Sequence, residues 1–152
     1  MINEPRQSAF YGDKGLIYTY SGKKQEAKVW TETLLIIKQQ IATILELQFN
    51  SVLLNLYRSG QDNMGWHSDN EKELGQNPKI ASVSFGATRT FQLKHISNPT
   101  LRQSIELTHG SLLLMQGDTQ HFWKHQIPKT NRFIPPRINL TFRTIVELGK
   151  KA

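Results

Sequence analysis

The strongest constraint on the fold lies after Asn50, where the chain breaks into seven short runs rich in β-branched and aromatic residues. Turn-forming residues separate these runs, which is the pattern of an antiparallel β protein. The runs cover residues 51–57, 80–85, 89–94, 103–107, 111–115, 121–127 and 137–145. Strands of this number and length predict a sandwich or jelly roll, in which two sheets enclose a common interior.

A single helix is predicted ahead of these strands, over about residues 28–47. Apolar residues recur there every three or four positions, as on one face of an amphipathic helix. They are Trp30, Leu34, Ile37, Ile41, Ile44 and Leu45. We therefore expect the helix to pack against the outside of the β structure. The preceding segment 5–22 mixes proline, glycine and aromatic residues and predicts a loop and hairpin, with a short strand over 18–21.

The amino-acid composition excludes several kinds of catalytic and metal site. The chain has 152 residues and no cysteine, so it cannot use a thiolate nucleophile, a disulfide framework or a Cys-ligated metal. Nineteen Lys and Arg residues against twelve Asp and Glu give a formal charge of +7, which favours a polyanionic partner. No apolar run approaches the roughly 20 residues of a membrane span, and the N-terminus lacks a signal-peptide pattern. We expect one intracellular domain over residues 1–152.

His67 and Asp69 form the first half of a candidate metal site. On an extended chain, residues two apart leave the same face, so an imidazole and a carboxylate can bind one cation. The spacing alone is a weak signal, because a solvated ion pair gives the same pattern. A third ligand is needed, and the motif HFWKH offers His121 or His125. Spacing leaves the choice between these two open.

The segment RINLTFR at 137–143 carries a polar face within a predicted strand. Alternate residues share that face: Arg137, Asn139, Thr141 and Arg143. Inside a barrel, two arginines would need anionic partners, because unpaired buried charge is costly. Asn55 and Tyr57 give a second strand the same polar face. Together with the candidate metal site, these residues fit a non-haem iron(II) centre that takes an acidic cosubstrate.

The chain resembles the AlkB-type iron(II)/2-oxoglutarate dioxygenases, most closely the branch of animal homologues that repairs duplex DNA. The resemblance runs in order through PRQSAFYGDKGLIYTYSG at 5–22, NLYRSGQDNMGWHSDNEKEL at 55–74, IASVSFGATRTFQLKH at 80–95, HGSLLLMQGDTQHFWKH at 109–125 and PRINLTFR at 136–143. It implies a mainly β fold with a flanking helix. The core, over about 50–146, is expected to be a double-stranded β-helix (jelly roll) behind an N-terminal nucleotide-recognition lid at about 5–25.

The same resemblance implies the cofactor and the cosubstrates. Fe(II) is expected at His67, Asp69 and His125, which selects His125 over His121. 2-Oxoglutarate is expected to contact Asn55, Tyr57, Arg137, Asn139, Thr141 and Arg143. We choose Arg143 for the bidentate contact with the distal carboxylate and count it among the catalytic residues. O2 is the second cosubstrate.

The implied activity is oxidative dealkylation repair of N-alkylated bases in DNA, methyl and etheno adducts included. Decarboxylation of 2-oxoglutarate is coupled to hydroxylation of the alkyl carbon, which then leaves as formaldehyde. The resemblance places base contacts in the lid and after the iron ligands, and phosphate contacts in a later loop. The residues concerned are Tyr18, Tyr20, Ser21, Trp66, Asn70, Glu71, Lys129 and Arg132.

Two departures from the family pattern bear on the substrate. Asn70 stands where close relatives place an acidic residue near the lesion base, so preference should shift from cationic towards neutral adducts. The sequence begins almost at Pro5, without the upstream segment that carries an apolar wedge in the duplex-repair branch. Strand preference is therefore open between duplex DNA, single strands and RNA.

Other functions would use the same residues. An RNA demethylase, or a hydroxylase of proteins or small molecules, would need the same cofactors. A nucleic-acid-binding paralogue without activity is a third interpretation, which the complete set of ligands and both arginines disfavours. We expect a monomer without membrane contact, cytoplasmic in a bacterium and nuclear in a eukaryote.

Overall fold

The computed structural model describes residues 5–20 and 22–146. The strands in this part of the chain are β1 (Gln7–Gly12), β2 (Ile17–Tyr20), β3 (Lys23–Glu26), β4 (Lys28–Val29), β5 (Ser51–Tyr57), β6 (Met64–His67), β7 (Ile80–Gly86), β8 (Arg89–His95), β9 (Arg102–Leu107), β10 (Leu112–Met115), β11 (Trp123–Ile127) and β12 (Arg137–Arg143). The helices are α1 (Glu32–Leu45) and the single turn α2 (Thr119–Phe122), and a 3-10 turn covers Lys72–Leu74.

The strands form two main sheets and a separate hairpin. The larger sheet has the order β10-β7-β12-β5-β1-β4, and the smaller has the order β6-β11-β8-β9. Apolar residues from both sheets meet in one buried cluster of Tyr57, Ile80, Phe91, Leu107, Met115 and Ile127. This is the predicted jelly roll, with β2 and β3 paired outside it as a two-stranded sheet.

The two faces of the larger sheet differ in character, as the alternation in RINLTFR predicts. The outer face is apolar and packs against α1 through Leu34 and Ile41, in a cluster that includes Leu140 and Phe142. Phe142 has no exposed surface and stacks on Trp30 at a centroid distance of 6.4 Å. Truncating such a side chain to alanine typically costs about 3–5 kcal/mol. The polar residues of β12 and β5 are thereby turned towards the interior between the sheets.

The predicted helix bounds of 28–47 are wrong at both ends. Thr31 accepts a hydrogen bond from the Leu34 amide at 3.2 Å, and this N-cap starts the helix at Glu32. Residues 28 and 29 instead pair with β1. The helix stops at Leu45 because Glu46 adopts a left-handed conformation, with φ 55°.

Other elements were missed because their sequences are polar or rich in glycine. Strand β1 lies in the segment predicted as loop and hairpin, yet it pairs with β5 from Gln7 to Gly12. Strand β6 begins at Met64, outside the seven predicted runs, and residues 121 and 122 belong to α2 rather than to a strand. Only β2 and β3 of the predicted lid therefore stand apart from the main sheets. Tyr20 ends β2, and Ser21 lies outside the described residues.

Within residues 5–20 and 22–146, the longest helix has 14 residues, and none could cross a bilayer.

Candidate metal and cosubstrate site

Three predicted ligands converge between the two sheets. His67 ends β6, Asp69 follows two residues later, and His125 lies on the adjacent strand β11 directly opposite His67. A ligand atom from each residue lies within 4.8 Å of the other two. His121 is exposed on the α2 turn and is not part of this cluster. Two imidazoles and one carboxylate can hold a metal ion on one side and leave its other positions open.

The backbone around the ligands is fixed by hydrogen bonds. The Asp69 amide donates to Gln120 Oε1 at 2.8 Å, and the Ser68 hydroxyl donates to the Trp123 carbonyl at 2.7 Å. His67 Nδ1 lies 2.8 Å from the Gly65 carbonyl, so its Nε2 faces Asp69 Oδ1 at 3.6 Å. Such partners set the orientation of metal ligands. No sequence pattern pointed to Gln120, which is buried and accepts a hydrogen bond from the Asp69 backbone amide.

Burial and neighbouring charges shift the pKa values of the candidate metal ligands Asp69 and His125. Burial by itself raises the pKa of Asp69, but the Arg143 guanidinium, with His125 and His67, holds that pKa below its usual value. Arg143 Nη2 donates to Asp69 Oδ2 at 2.9 Å. Burial, with a smaller contribution from His67, lowers the pKa of His125 to about 4. An ionised carboxylate and a neutral imidazole are the forms that bind a metal ion.

Unsatisfied polar atoms show that the site fits a cation. Asp69 Oδ1 and His125 Nδ1 are buried and have no hydrogen-bond partner in the described part of the chain. A buried polar atom without a partner costs about 1–3 kcal/mol. A bound divalent ion removes that cost for the carboxylate oxygen, and its chemistry matches the donor set of two nitrogens and one oxygen.

The other end of β12 carries a buried cation that forms no ion pair with a described carboxylate. Arg137 is 1% exposed, its Nη2 donates to Ser84 Oγ at 2.9 Å, and its guanidinium lies 5.1 Å from the Tyr57 ring centroid. Its Nε and Nη1 have no partner among the described residues. Burial lowers the pKa of Arg137. A guanidinium with two free donors in an apolar setting fits a bidentate carboxylate.

The positions of the two arginines relative to the candidate metal ligands bear on the role expected of Arg143, which stays a prediction. A 2-oxoacid that chelates a metal places its distal carboxylate away from that metal. Arg143 contacts the candidate metal ligand Asp69, so its position suits it to balance the charge of that carboxylate. Arg137, six residues and roughly 20 Å away along the extended strand, suits the distal carboxylate.

The remaining residues predicted for 2-oxoglutarate lie in the same part of the fold. Asn139 and Thr141 line the cavity, with Ser82 of β7 beside them. Their side chains are already bonded: Asn139 Nδ2 donates to Ser82 Oγ at 2.7 Å, and Thr141 Oγ1 donates to Asn139 Oδ1 at 2.8 Å. Asn55 lies opposite Asn139 in the sheet and accepts a hydrogen bond from Arg6 Nε at 3.1 Å. Alternating serines in β7 were the signal, overlooked in the sequence, for this polar wall.

The residues predicted to contact the base lie in different surroundings, some buried and some exposed. Tyr18 is 1% exposed and packs 5.6 Å from Phe10, so its ring does not offer a free stacking surface in this conformation. Burial raises the pKa of Tyr18, and the neighbouring Glu71 carboxyl, whose pKa burial also raises, adds to that shift. Asn70 is exposed beside them. Trp66, expected near the cavity, instead holds Lys94 Nζ at 4.2 Å over its ring.

Comparison with known proteins identifies the family. A family model described as the 2OG-Fe(II) oxygenase superfamily matches residues 4–143. The chain belongs to this superfamily. Its name states the metal and the cosubstrate for which the His67, Asp69 and His125 cluster and the polar wall are suited.

Curated relatives refine the comparison. The chain is 41% identical to the DNA oxidative demethylase ALKBH2 of Bos taurus, over 97% of this chain and 55% of that protein. It is 46% identical to the alpha-ketoglutarate-dependent dioxygenase alkB homolog 3 of the same species, over 93% of this chain and 52% of that protein. These identities agree with the predicted AlkB resemblance. The chain spans about half the length of these relatives.

The solved structure of OsALKBH1 shares the fold. It matches with a TM-score of 0.67 and 20% sequence identity, over 92% of this chain and 78% of that one. An identity this low supports the architecture alone.

Proposed function

We propose that this chain is an oxidative dealkylase that uses Fe(II), 2-oxoglutarate and O2 to remove alkyl groups from DNA bases. The observation that carries the proposal is that the candidate metal ligands and the buried Arg137 line one cavity. This pairing occurs in a chain 41–46% identical to AlkB homologues 2 and 3, of which the first is named a DNA oxidative demethylase.

The proposed ligands of Fe(II) are His67, Asp69 and His125. When bound, Fe(II) and 2-oxoglutarate supply the activation of O2 that hydroxylates a C–H bond, with loss of CO2 from the oxoacid. Arg143 keeps Asp69 ionised and holds its carboxylate in place. A hydroxylated N-alkyl carbon then breaks down to an aldehyde and the repaired base.

We assign the distal carboxylate of 2-oxoglutarate to Arg137, with Tyr57 and Ser84 around the guanidinium. The smaller sheet provides an apolar wall opposite this polar surface. That wall is formed by Phe91, Leu107, Met115 and Ile127. Excluding water there strengthens the ion pair between Arg137 and the carboxylate.

The substrate side is proposed around Glu71 and Asn70, while contacts from Tyr20 and Ser21 stay predictions from the family resemblance. Glu71 is half-buried beside the metal ligands, and its carboxylate can accept a hydrogen bond from the exocyclic amino group of a flipped base. The Tyr18 hydroxyl interacts with the Glu71 carboxyl group, so we assign Tyr18 to positioning Glu71 rather than to stacking on the base. Asn70 adds an amide without charge at the exposed edge.

Surface charge supports a nucleic-acid substrate. Lys124, Lys94 and Arg102 lie directly opposite one another on three neighbouring strands. None forms an ion pair with a described carboxylate. Adjacent like charges in a sheet repel, and a bound phosphate backbone relieves that repulsion. Lys129 and Arg132 extend the exposed positive charge along the loop after β11.

The test is turnover of defined oligonucleotides. Matched single- and double-stranded DNA and RNA carrying N1-methyladenine, N3-methylcytosine or an etheno base are incubated with Fe(II), ascorbate and 2-oxoglutarate. We expect loss of the alkyl mass and release of formaldehyde from methylated DNA. Turnover on RNA alone, or succinate formation without change in any oligonucleotide, would replace this proposal by the RNA or the protein and small-molecule alternative.

Lesion preference has its own test. Asn70→Asp restores a negative charge at the exposed edge, so turnover of cationic methyl lesions should rise a few-fold relative to neutral etheno adducts. An unchanged ratio contradicts a role for Asn70 in selectivity. The expected monomer and the compartment stay predictions; sedimentation and localisation in the source cell test them.

A further inference from the structure

Phe133 is the feature that the proposed chemistry leaves unexplained. Its side chain is 94% exposed, whereas the other large apolar side chains exposed in the described chain reach at most 71%. Exposed aliphatic residues are ordinary on a protein surface. A phenyl ring held almost wholly in water is a stronger signal, because its burial against a partner yields a large gain in apolar contact.

Two exposed cations precede this ring on the same loop. Lys129 and Arg132 are exposed on the same loop between β11 and β12, and neither forms an ion pair with a described carboxylate. They line a surface hollow together with Thr88, Arg89 and Ile134. The carboxylate in that hollow, Glu106, accepts a hydrogen bond from Thr90 at 2.7 Å.

The loop is held rigidly at its base. Arg89, 3% exposed, donates to the carbonyls of Ser59, Asp62 and Pro128 at 2.9–3.2 Å. Thr130 donates its amide to the Gly60 carbonyl at 2.8 Å. A Cβ on Gly60 would lie 2.6 Å from the Thr130 carbonyl oxygen, so the two loops touch through their backbones. A preorganised loop spends little entropy on ordering when it binds.

The loop is also close to the metal site along the chain. Phe133 follows His125 by eight residues, so the two lie at most roughly 29 Å apart. This is about eight stacked nucleotides of a single strand. A strand with its damaged base at the metal can therefore reach this loop with its neighbouring nucleotides.

We infer that Phe133 is a base-stacking contact for single-stranded nucleic acid, with Lys129 and Arg132 binding the adjoining phosphates. Stacking needs an open base face, which a single strand offers and an intact duplex does not. This inference rests on the proposed nucleic-acid substrate and extends it to a second contact. It names single strands as the favoured form.

The binding test needs no turnover. Protein supplied with Mn(II) and 2-oxoglutarate is titrated into a labelled, unmodified single-stranded 12-mer, and fluorescence anisotropy gives the affinity. Phe133→Ala should weaken binding about tenfold, within the range for loss of one stacked base. Phe133→Trp should restore it, and its indole fluorescence should be quenched by the bound bases. Ile44→Ala, which removes an aliphatic side chain 69% exposed on α1, is the matched control.

Salt dependence separates the two kinds of contact. Arg132→Ala and Lys129→Ala should each lower the slope of log affinity against log salt by about 0.7, the value for one phosphate contact on a single strand. Phe133→Ala should leave that slope unchanged, because stacking releases no counter-ion.

The following results would overturn the stacking role of Phe133. Wild-type affinity in Phe133→Ala, or a weakening equal to that of Ile44→Ala, overturns the inference. Sedimentation showing a dimer that Phe133→Ala abolishes, without change in oligonucleotide affinity, assigns the ring to self-association and also overturns it. The dealkylation assay is independent: Phe133-dependent binding without dealkylation overturns the proposed function and leaves the stacking contact in place.

Discussion

The two arginines of β12 share one strand and one face, yet their surroundings are opposite. Arg143 is bonded to the Asp69 carboxylate at 2.9 Å. Arg137 is as deeply buried, but its described partners are a serine hydroxyl and an aromatic ring. The charge of Arg143 is therefore balanced by a carboxylate, whereas no described carboxylate balances Arg137, which can accept an anionic ligand. Residue type and alternation predicted both arginines; only the neighbouring strands distinguish their roles.

Removing Asp69 has the largest expected effect on this comparison. Asp69→Ala deletes a metal ligand and leaves Arg143 buried without its carboxylate, so dealkylation should be abolished and Mn(II) binding lost. Isothermal titration with Mn(II) and formaldehyde release measure the two effects. Asp118→Ala, at an exposed carboxylate, should behave as wild type. Full activity in Asp69→Ala would refute the metal assignment.

Stability should separate the arginines next. In protein freed of metal and 2-oxoglutarate, Arg143→Met strands the Asp69 charge and should lower the free energy of unfolding by about 3–5 kcal/mol. Arg137→Met replaces an unpaired buried cation by an apolar side chain and should raise it by about 1 kcal/mol or more. Urea denaturation in EDTA measures both. Equal destabilisation by the two variants would show that Arg137 has a counter-ion after all.

Lowering the pH should destabilise the folded protein through the candidate metal ligands rather than through Arg137. The pKa of His125 is about 4 in the folded protein, below its ordinary 6.5, so the unfolded chain binds more protons between these values. The free energy of unfolding of the metal-free protein should therefore fall by about 3 kcal/mol as pH drops from 6.5 to 4. Asp69, whose folded pKa is also lowered, extends the loss below pH 4.

Urea denaturation at several pH values tests this dependence. His125→Asn should flatten the curve between pH 6.5 and 4, while His121→Asn, at an exposed histidine, should leave it unchanged. Arg137 stays charged over this range, so the distal end contributes nothing to the slope. A wild-type curve that is flat there would contradict the account of His125.

Cosubstrate affinity provides the mildest test. Arg137→Ala loses two charge-assisted hydrogen bonds to the distal carboxylate, so the KM for 2-oxoglutarate should rise roughly 100-fold while Mn(II) affinity is kept. Arg143→Ala should mainly lower Mn(II) affinity. Calorimetric titration of each ligand without O2 separates these effects. A larger loss of 2-oxoglutarate affinity in Arg143→Ala would restore the assignment made from the sequence.

Periodicity was sufficient to predict the jelly roll and its polar interior. The strand over 51–57 has the predicted bounds, and RINLTFR lies in the sheet with its polar face inward. Strand β1 could not be predicted this way, because its residues in QSAFYG are held by pairing with β5 rather than by their own pattern. The helix start was readable in retrospect from Thr31, an N-cap residue three positions before Leu34.

The sequence was sufficient to predict most of the polar residues that line the cavity, but not which partner each of them contacts. The resemblance supplied His125, and alternation supplied the residues of β12. Neither gave the partner of each arginine, because ion pairs join residues far apart in the chain, such as Asp69 and Arg143 at a separation of 74. Burial of Tyr18 was also hidden, since an aromatic in a hairpin predicts stacking and packing equally well.

The position of β12 has a consequence for how the protein is made. It is the last strand of the described chain, yet it lies between β5 and β7 at the centre of the larger sheet. Until it emerges from the ribosome, β5 and β7 each present an unpaired edge to which other chains can add. Its pairing spans up to 92 residues, as between Ser51 and Arg143, which favours slow folding. The same step brings Arg143 to Asp69, so a metal ion that binds only the folded form stabilises chains in which β12 has paired.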